Sequence, residues 1–167
     1  MQLNYFAFGS NMASHRLLQR LPKARVFGTA RLKQHRLNFR KNDDGQSGKC
    51  DIEFTADAAD FVIGVVYQIS ELDRPILDGF EGLGLGYNSK QVELTNTSEE
   101  TLSAFTYYAI DIDSTMVPYH WYKQHVLRGA IEHDFPQEYL EFISSFESKA
   151  DPDQQRSDRE LSIYLEK

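Results

Sequence analysis

The spacing of apolar residues along this chain changes once, and that change limits the folds open to it. Up to residue 109 most of them fall in short runs rich in β-branched and aromatic side chains; from Tyr119 onward they recur at helical intervals. "DFVIGVVYQI", Asp60 to Ile69, reads as the clearest buried strand, with Gly64 allowing a neighbouring backbone to approach closely. "YFAF" from Tyr5, the stretches Ala24 to Leu32 and Arg36 to Arg40, and "YNSKQVEL" and "LSAFTYYAI", joined by the polar turn "TNTSEE", supply further strands. Two short helices interrupt them. One covers Met12 to Pro22, with Leu17, Leu18 and Leu21 on one side; the other is capped by Ser70 and runs to about Asp78. Trp121, Tyr122, Val126, Leu127, Ala130 and Ile131 then mark a longer helix, and Pro136 opens another through Phe146. Many strands followed by helices predict an α+β domain: a mixed, strongly curved, barrel-like sheet with helices packed around it.

The 167 residues suffice for one core, so the expected organisation is a single domain over residues 1–147 and a polar tail over 148–167. In that tail the charged stretch Ser148 to Asp158 reads as a loose linker and "RELSIYLEK" as a candidate docking helix. Earlier in the chain, "KNDDGQSGK" has the composition of a loop.

Eighteen Lys and Arg against 25 Asp and Glu leave a net charge of −7, with no basic block, so nucleic acid is not expected as a partner. No apolar run approaches the ~20 residues of a membrane span and the first residues lack signal-peptide order, which points away from a membrane and to the cytoplasm. The one cysteine, Cys50, lies in a polar stretch and reads as a bystander thiol, in keeping with a reducing compartment. The five histidines are scattered without ligand spacing, so no metal site is expected and each reads as a surface or half-buried residue.

The most informative local feature is the abrupt end of the first strand at Gly9-Ser10-Asn11. A strand that passes through small residues into a helix turns several backbone N–H groups in one direction, and the helix N-terminus adds partial positive charge. Such a turn suits a carboxylate or an oxyanion; its plainer role is to cap the helix. Phosphate is disfavoured, because no G-x-x-x-x-G-K spacing occurs and "GLGLGY" follows a helix rather than a strand.

"YFAFGSNM" resembles the N-terminal signature of the γ-glutamylcyclotransferase family, Y-F-A-Y-G-S-N-L/M, with Phe8 where that family commonly has tyrosine. "LDGFEGLGLGYNSKQVEL" resembles its second element, and "PYHWYKQHVLRGAIEHDFPQEYLEFI" its third, so that three elements in order cover most of residues 3–146. The resemblance implies an AIG2-like fold and an enzyme in which the α-amine of a γ-glutamyl amide attacks its own γ-carbonyl. The products are 5-oxoproline and an amine or amino acid, and no metal or organic cofactor is required.

By the same resemblance Glu81 is the catalytic acid–base. Its place between Phe80 and Gly82 also suits a carboxyl whose pKa is raised by apolar surroundings, against the plainer reading of a solvated turn glutamate. The resemblance further assigns the glutamyl moiety to backbone groups of Tyr5, Phe6, Ala7, Phe8, Gly9 and Ser10, with Asn11 adjacent. It assigns substrate contact to Tyr122 and makes Tyr87 and Tyr107 further pocket tyrosines. Glu53, Glu71 and Asp78 read as surface charges. The partner implied is a small γ-glutamyl amide, and the family suggests a homodimer. Two alternatives stand beside this reading: a γ-glutamylamine cyclotransferase acting on a γ-glutamyl-protected metabolite, and a binding module that keeps the anion cradle without chemistry.

Overall fold

A computed structural model describes residues 1–165 of the chain. Five strands close into a barrel in the order β1 (Gln2–Ala7), β5 (Phe61–Ser70), β2 (Arg25–Lys33), β6 (Tyr87–Asn96) and β7 (Thr101–Ala109). β5 is the strand of continuous apolar character, and it lies between β1 and β2, with Phe6 opposite Val66 and Ala30 opposite Gly64. Both its neighbours run antiparallel to it. Closure comes from β7, which meets β1 in parallel at Tyr5 and Phe105, so the sheet is mixed and none of these five strands is left with an open edge. Gly64 is required by this packing: a Cβ there would sit 2.4 Å from the Phe6 ring and 2.6 Å from the Ala7 carbonyl.

The expected loop at Lys41–Lys49 is instead the end of a β-hairpin. β3 (His35–Asp43) and β4 (Ser47–Phe54) pair antiparallel and are joined through Asp44, Gly45 and Gln46, with φ of 51° at Asp44 and 69° at Gly45. The strand pattern was hidden because several inward positions are polar. Lys41, Ser47 and Asp51 are all buried, and Asp51 is satisfied by the Arg40 amide and guanidinium at 2.7 Å each. The same hairpin buries Cys50.

The helices are α1 (Ser14–Arg20), α2 (Arg74–Glu81), α3 (His120–Glu132), α4 (Gln137–Ser145) and α5 (Gln154–Ser162). None among the described residues is long and apolar enough to cross a membrane. Leu17 and Leu21 pack inward from α1 and its end, whereas Leu18, expected on that side, is 39% exposed. Ser70 accepts from the Leu72 amide to cap a 3₁₀ turn at Glu71–Asp73, and α2 continues past Asp78 to Glu81 before Gly82 ends it in the left-handed conformation. α3 presses on the turn after β1 at Gly129, where a Cβ would meet the Ala13 amide and Met12 Cβ at 2.6 Å. On the same helix His125 is fully buried, unlike the surface or half-buried role expected of it.

The stretch expected as a loose linker is tied down. The Lys149 amide donates to the Pro118 carbonyl, and the Lys149 carbonyl accepts from the His120 amide. Asp151 is buried against Trp121 Nε1 (2.8 Å) and the Arg156 guanidinium (2.6 and 2.7 Å). α5 begins at Gln154, inside the supposed linker, because Asp153 caps it by accepting from the Arg156 amide. Of the candidate helix at the C-terminus, residues 166–167 lie outside the described residues.

Candidate active site

β1 delivers its last side chains to one end of the barrel, where Gly9 leads into a 3₁₀ turn over Ser10–Met12. The turn is held from beneath: the Tyr67 hydroxyl donates to the Met12 carbonyl at 2.9 Å, and His133 Nε2 lies 3.0 Å from the same oxygen. From α3, Glu132 accepts from the Ser14 amide at 3.0 Å and also binds the Ser14 hydroxyl, fixing the start of α1. Among the described residues the N–H groups of Gly9, Ser10 and Asn11 donate to no protein acceptor. They form a set of backbone donors on a rigid support, the geometry that favours an anion.

Across from this turn stands Glu81, the last residue of α2. Asn11 Nδ2 donates to Glu81 Oε1 at 2.8 Å and to the Tyr5 hydroxyl at 3.1 Å, while Asn11 Oδ1 accepts from Arg20 at 3.0 Å. Arginine can only donate, so the Asn11 oxygen must face Arg20 and the amide nitrogen must face Glu81. Burial raises the Glu81 pKa above 4.5, and it outweighs the opposing pull of Arg20, 3.8 Å away, and of the Asn11 hydrogen bond. The carboxyl also sits at a helix C-terminus, where the dipole disfavours negative charge. These conditions make a carboxyl that holds its proton more tightly than an exposed glutamate does.

Four tyrosines complete the lining with Phe8, Gly9, Ser10 and Cys50, and the hollow has an empty volume of about 310 Å³ counting its open mouth. The hollow is narrow, so it suits one small polar moiety. Burial pushes the phenols of Tyr5, Tyr87, Tyr107 and Tyr122 all upward, so each keeps its proton at neutral pH. Their partners then decide what each offers. Tyr87 donates to the Cys50 carbonyl at 2.8 Å and Tyr107 to Asp78 at 2.6 Å, so both turn lone pairs to the hollow. Tyr5 accepts from Asn11 and Tyr122 accepts from the Cys50 amide at 3.0 Å, so both keep a hydrogen to give.

Of the residues singled out from the sequence, Tyr5, Phe8, Gly9, Ser10, Tyr122 and Glu81 line this one hollow, as do Tyr87, Tyr107 and Asn11. Phe6 and Ala7 do not. Both are fully buried; the Phe6 ring packs on Gly64, and its carbonyl is taken by the Thr106 hydroxyl at 2.8 Å. Cys50, read as a bystander thiol, is buried beside the turn, its sulfur 3.3 Å from where a Cβ at Gly9 would lie. Asp78 is no mere surface charge: besides Tyr107 it holds Arg74 Nε at 2.9 Å, and that guanidinium stacks 3.8 Å over Phe105. Arg20 had no signal in the sequence. An arginine in the last turn of a short helix is ordinary, and only the fold brings it to Asn11.

The sequence model of the AIG2-like family matches residues 61–143. Human γ-glutamylcyclotransferase is 29% identical over 148 residues, 86% of this chain and 78% of that protein. A solved γ-glutamyl cyclotransferase superposes with a TM-score of 0.86 at 26% identity, over 97% of this chain and 99% of that one. A human protein described only as uncharacterized superposes with a TM-score of 0.84 at 27% identity, over 96% and 98% of the two chains. With the barrel and its helices matched nearly end to end, the chain is similar in sequence and in fold to γ-glutamylcyclotransferases, and residues 61–143 match the AIG2-like family.

Proposed function

We propose that this protein is a cytoplasmic γ-glutamylcyclotransferase that converts a γ-glutamyl amide to 5-oxoproline and a free amine or amino acid. The observation that carries the reading is the carboxyl of Glu81 facing the Gly9–Asn11 turn across a small hollow, with Asn11 Nδ2 2.8 Å from its Oε1. A partly buried proton carrier and a set of anion donors on opposite walls are what an intramolecular acyl transfer needs.

In this reading the backbone N–H groups of Gly9 to Asn11, with the Tyr5 and Tyr122 hydroxyls, receive the substrate's carboxylate and the oxyanion that forms at the γ-carbon. The α-ammonium lies toward Glu81 and the lone pairs of Tyr87 and Tyr107. Glu81 takes a proton from that ammonium, and the amine attacks the γ-carbonyl to form the new C–N bond. That proton then passes from Glu81 to the leaving nitrogen as the old C–N bond breaks, and the second proton of the new ring nitrogen is taken by Glu81 and given to the departing amine, which leaves as its ammonium. No water enters and no electrons are transferred. Holding both ends of one molecule in a ring-closing pose can supply roughly 7–11 kcal/mol of the barrier, so positioning carries most of the burden.

The test is 5-oxoproline release from a panel comprising γ-glutamyl-alanine, γ-glutamyl-glutamine, ε-(γ-glutamyl)-lysine and glutathione. Turnover of at least one member, lost in the Glu81→Gln variant, is the expected result. Silence across the panel, or equal turnover in wild type and variant, overturns the reading.

A further inference from the structure

α5 reaches the candidate active site through a single arginine. Glu160 on α5 accepts from Arg16 NH1 at 2.5 Å, and Arg16 Nε donates to the Ser10 hydroxyl at 3.2 Å. Ser10 lines the hollow, whereas Arg16 and Glu160 do not. Two residues one turn apart on α3 hold the helix in place: Trp121 binds Asp151 just before α5, and His125 binds Glu160 at 2.9 Å and the Tyr164 hydroxyl at 2.5 Å.

The arrangement has a directional consequence at Ser10. Arg16 has no lone pair, so the Ser10 oxygen must be the acceptor, and its hydrogen is left pointing away from Arg16. Arg16 in turn depends on Glu160. Its side chain is only 11% exposed, and Arg20 stands near enough to repel it. A guanidinium in that position without its carboxylate would carry an uncompensated charge and move toward water. Burial would raise the Glu160 pKa, yet His125 and Arg16 together bring it down to about 2, so the pair stays ionised at working pH.

We propose that Glu160 and Arg16 are positioning residues: the C-terminal helix holds Arg16 so that the Ser10 hydroxyl is fixed as a hydrogen-bond donor to the bound substrate. The inference rests on the proposed cyclotransferase reading. It assigns the segment after residue 147 a part in substrate binding rather than in the fold alone.

The test is a double-mutant cycle on the full chain with γ-glutamyl-alanine, or with whichever amide of the panel turns over fastest. Glu160→Gln and Ser10→Ala are measured singly and together, with kcat, KM and the melting temperature for each. One neutral hydrogen bond of ~1.4 kcal/mol corresponds to about a tenfold change, so each single variant should raise KM about tenfold with kcat within twofold. The double variant should match Ser10→Ala, because Glu160 acts through that hydroxyl. Arg16→Lys, which keeps the charge but cannot bridge both partners, should give the same KM. An unchanged KM in Glu160→Gln and Arg16→Lys overturns the proposal, and so do effects of Glu160→Gln and Ser10→Ala that multiply. A wild-type protein inactive on the whole panel would instead sink the cyclotransferase reading, and this inference with it.

Discussion

Replacing Glu81 with glutamine separates chemistry from folding at this site. The amide is isosteric and keeps an oxygen for Asn11 Nδ2, which now stands 2.8 Å from Oε1. What disappears is the charge and the proton. The stability effect follows from the balance at the carboxyl, where burial raises the pKa from 4.5 and exceeds the pull of Arg20 and Asn11. A group with a raised folded pKa binds its proton more tightly folded than unfolded. Its stability contribution is therefore fully present below about pH 4.5 and is lost as the pH climbs through the folded value, at about 1.4 kcal/mol per tenfold weakening of the acid. Glu81→Gln lacks this titration, so its melting temperature should equal or exceed that of the wild type at pH 8, with the difference shrinking toward pH 4. Catalytically it loses the proton carrier, worth roughly 10²–10⁴ in kcat. Thermal melts at the two pH values and 5-oxoproline release measure both effects on one preparation. A kcat within tenfold of wild type refutes the proton-carrier role. A variant less stable at pH 8 than the wild type refutes the claim that burial outweighs Arg20.

Three further substitutions probe the support of the site. Gly9→Ala puts a Cβ 3.0 Å from Cys50 Cβ and 3.4 Å from the Tyr122 hydroxyl, so the turn must shift by a few tenths of an ångström. We expect kcat/KM to fall about tenfold, since misplacement by ~1 Å can cost 100-fold, and an unchanged value would count against the cradle. Gly64→Ala drives a Cβ to 2.4 Å from the Phe6 ring between two strands locked in register. At ~1–3 kcal/mol for overpacking and ~2–4 °C per kcal/mol, its melting temperature should drop by about 2–12 °C, and no drop would contradict the packing. Asp151→Ala strips Trp121 Nε1 and Arg156 of their shared acceptor, so trypsin should cut at Arg156 or Arg159 far faster than in the wild type. Equal cleavage rates would show that α5 is held without it.

What the sequence disclosed of this molecule depended on how far apart the interacting residues lie. β5 was legible because a strand with neighbours on both sides carries its own apolar signature, and the turn at Gly9-Ser10-Asn11 because small residues after an apolar run form a local pattern. The hairpin of β3 and β4 was not, since its buried Lys41 and Asp51 imitate a loop until Arg40 and the barrel supply their partners. The site divides the same way. Glu81 and the turn could be named from motifs, but Asn11 stood only beside the residues assigned to the substrate. Its role is decided by Glu81, 70 residues away, and by Arg20, 9 residues away on another element. Arg20 is the less visible of the two and the more decisive, because a donor-only side chain on the Asn11 oxygen is what turns the amide nitrogen toward the acid. The polarity of the hydrogen bond at Glu81 is thus set by a residue that never touches the substrate in the proposed mechanism. By the same logic Arg16, one turn earlier on the same helix, sets the polarity of Ser10. α1 therefore serves the hollow through two arginines whose only shared property is that they cannot accept a hydrogen bond, a constraint that no motif at either position would express.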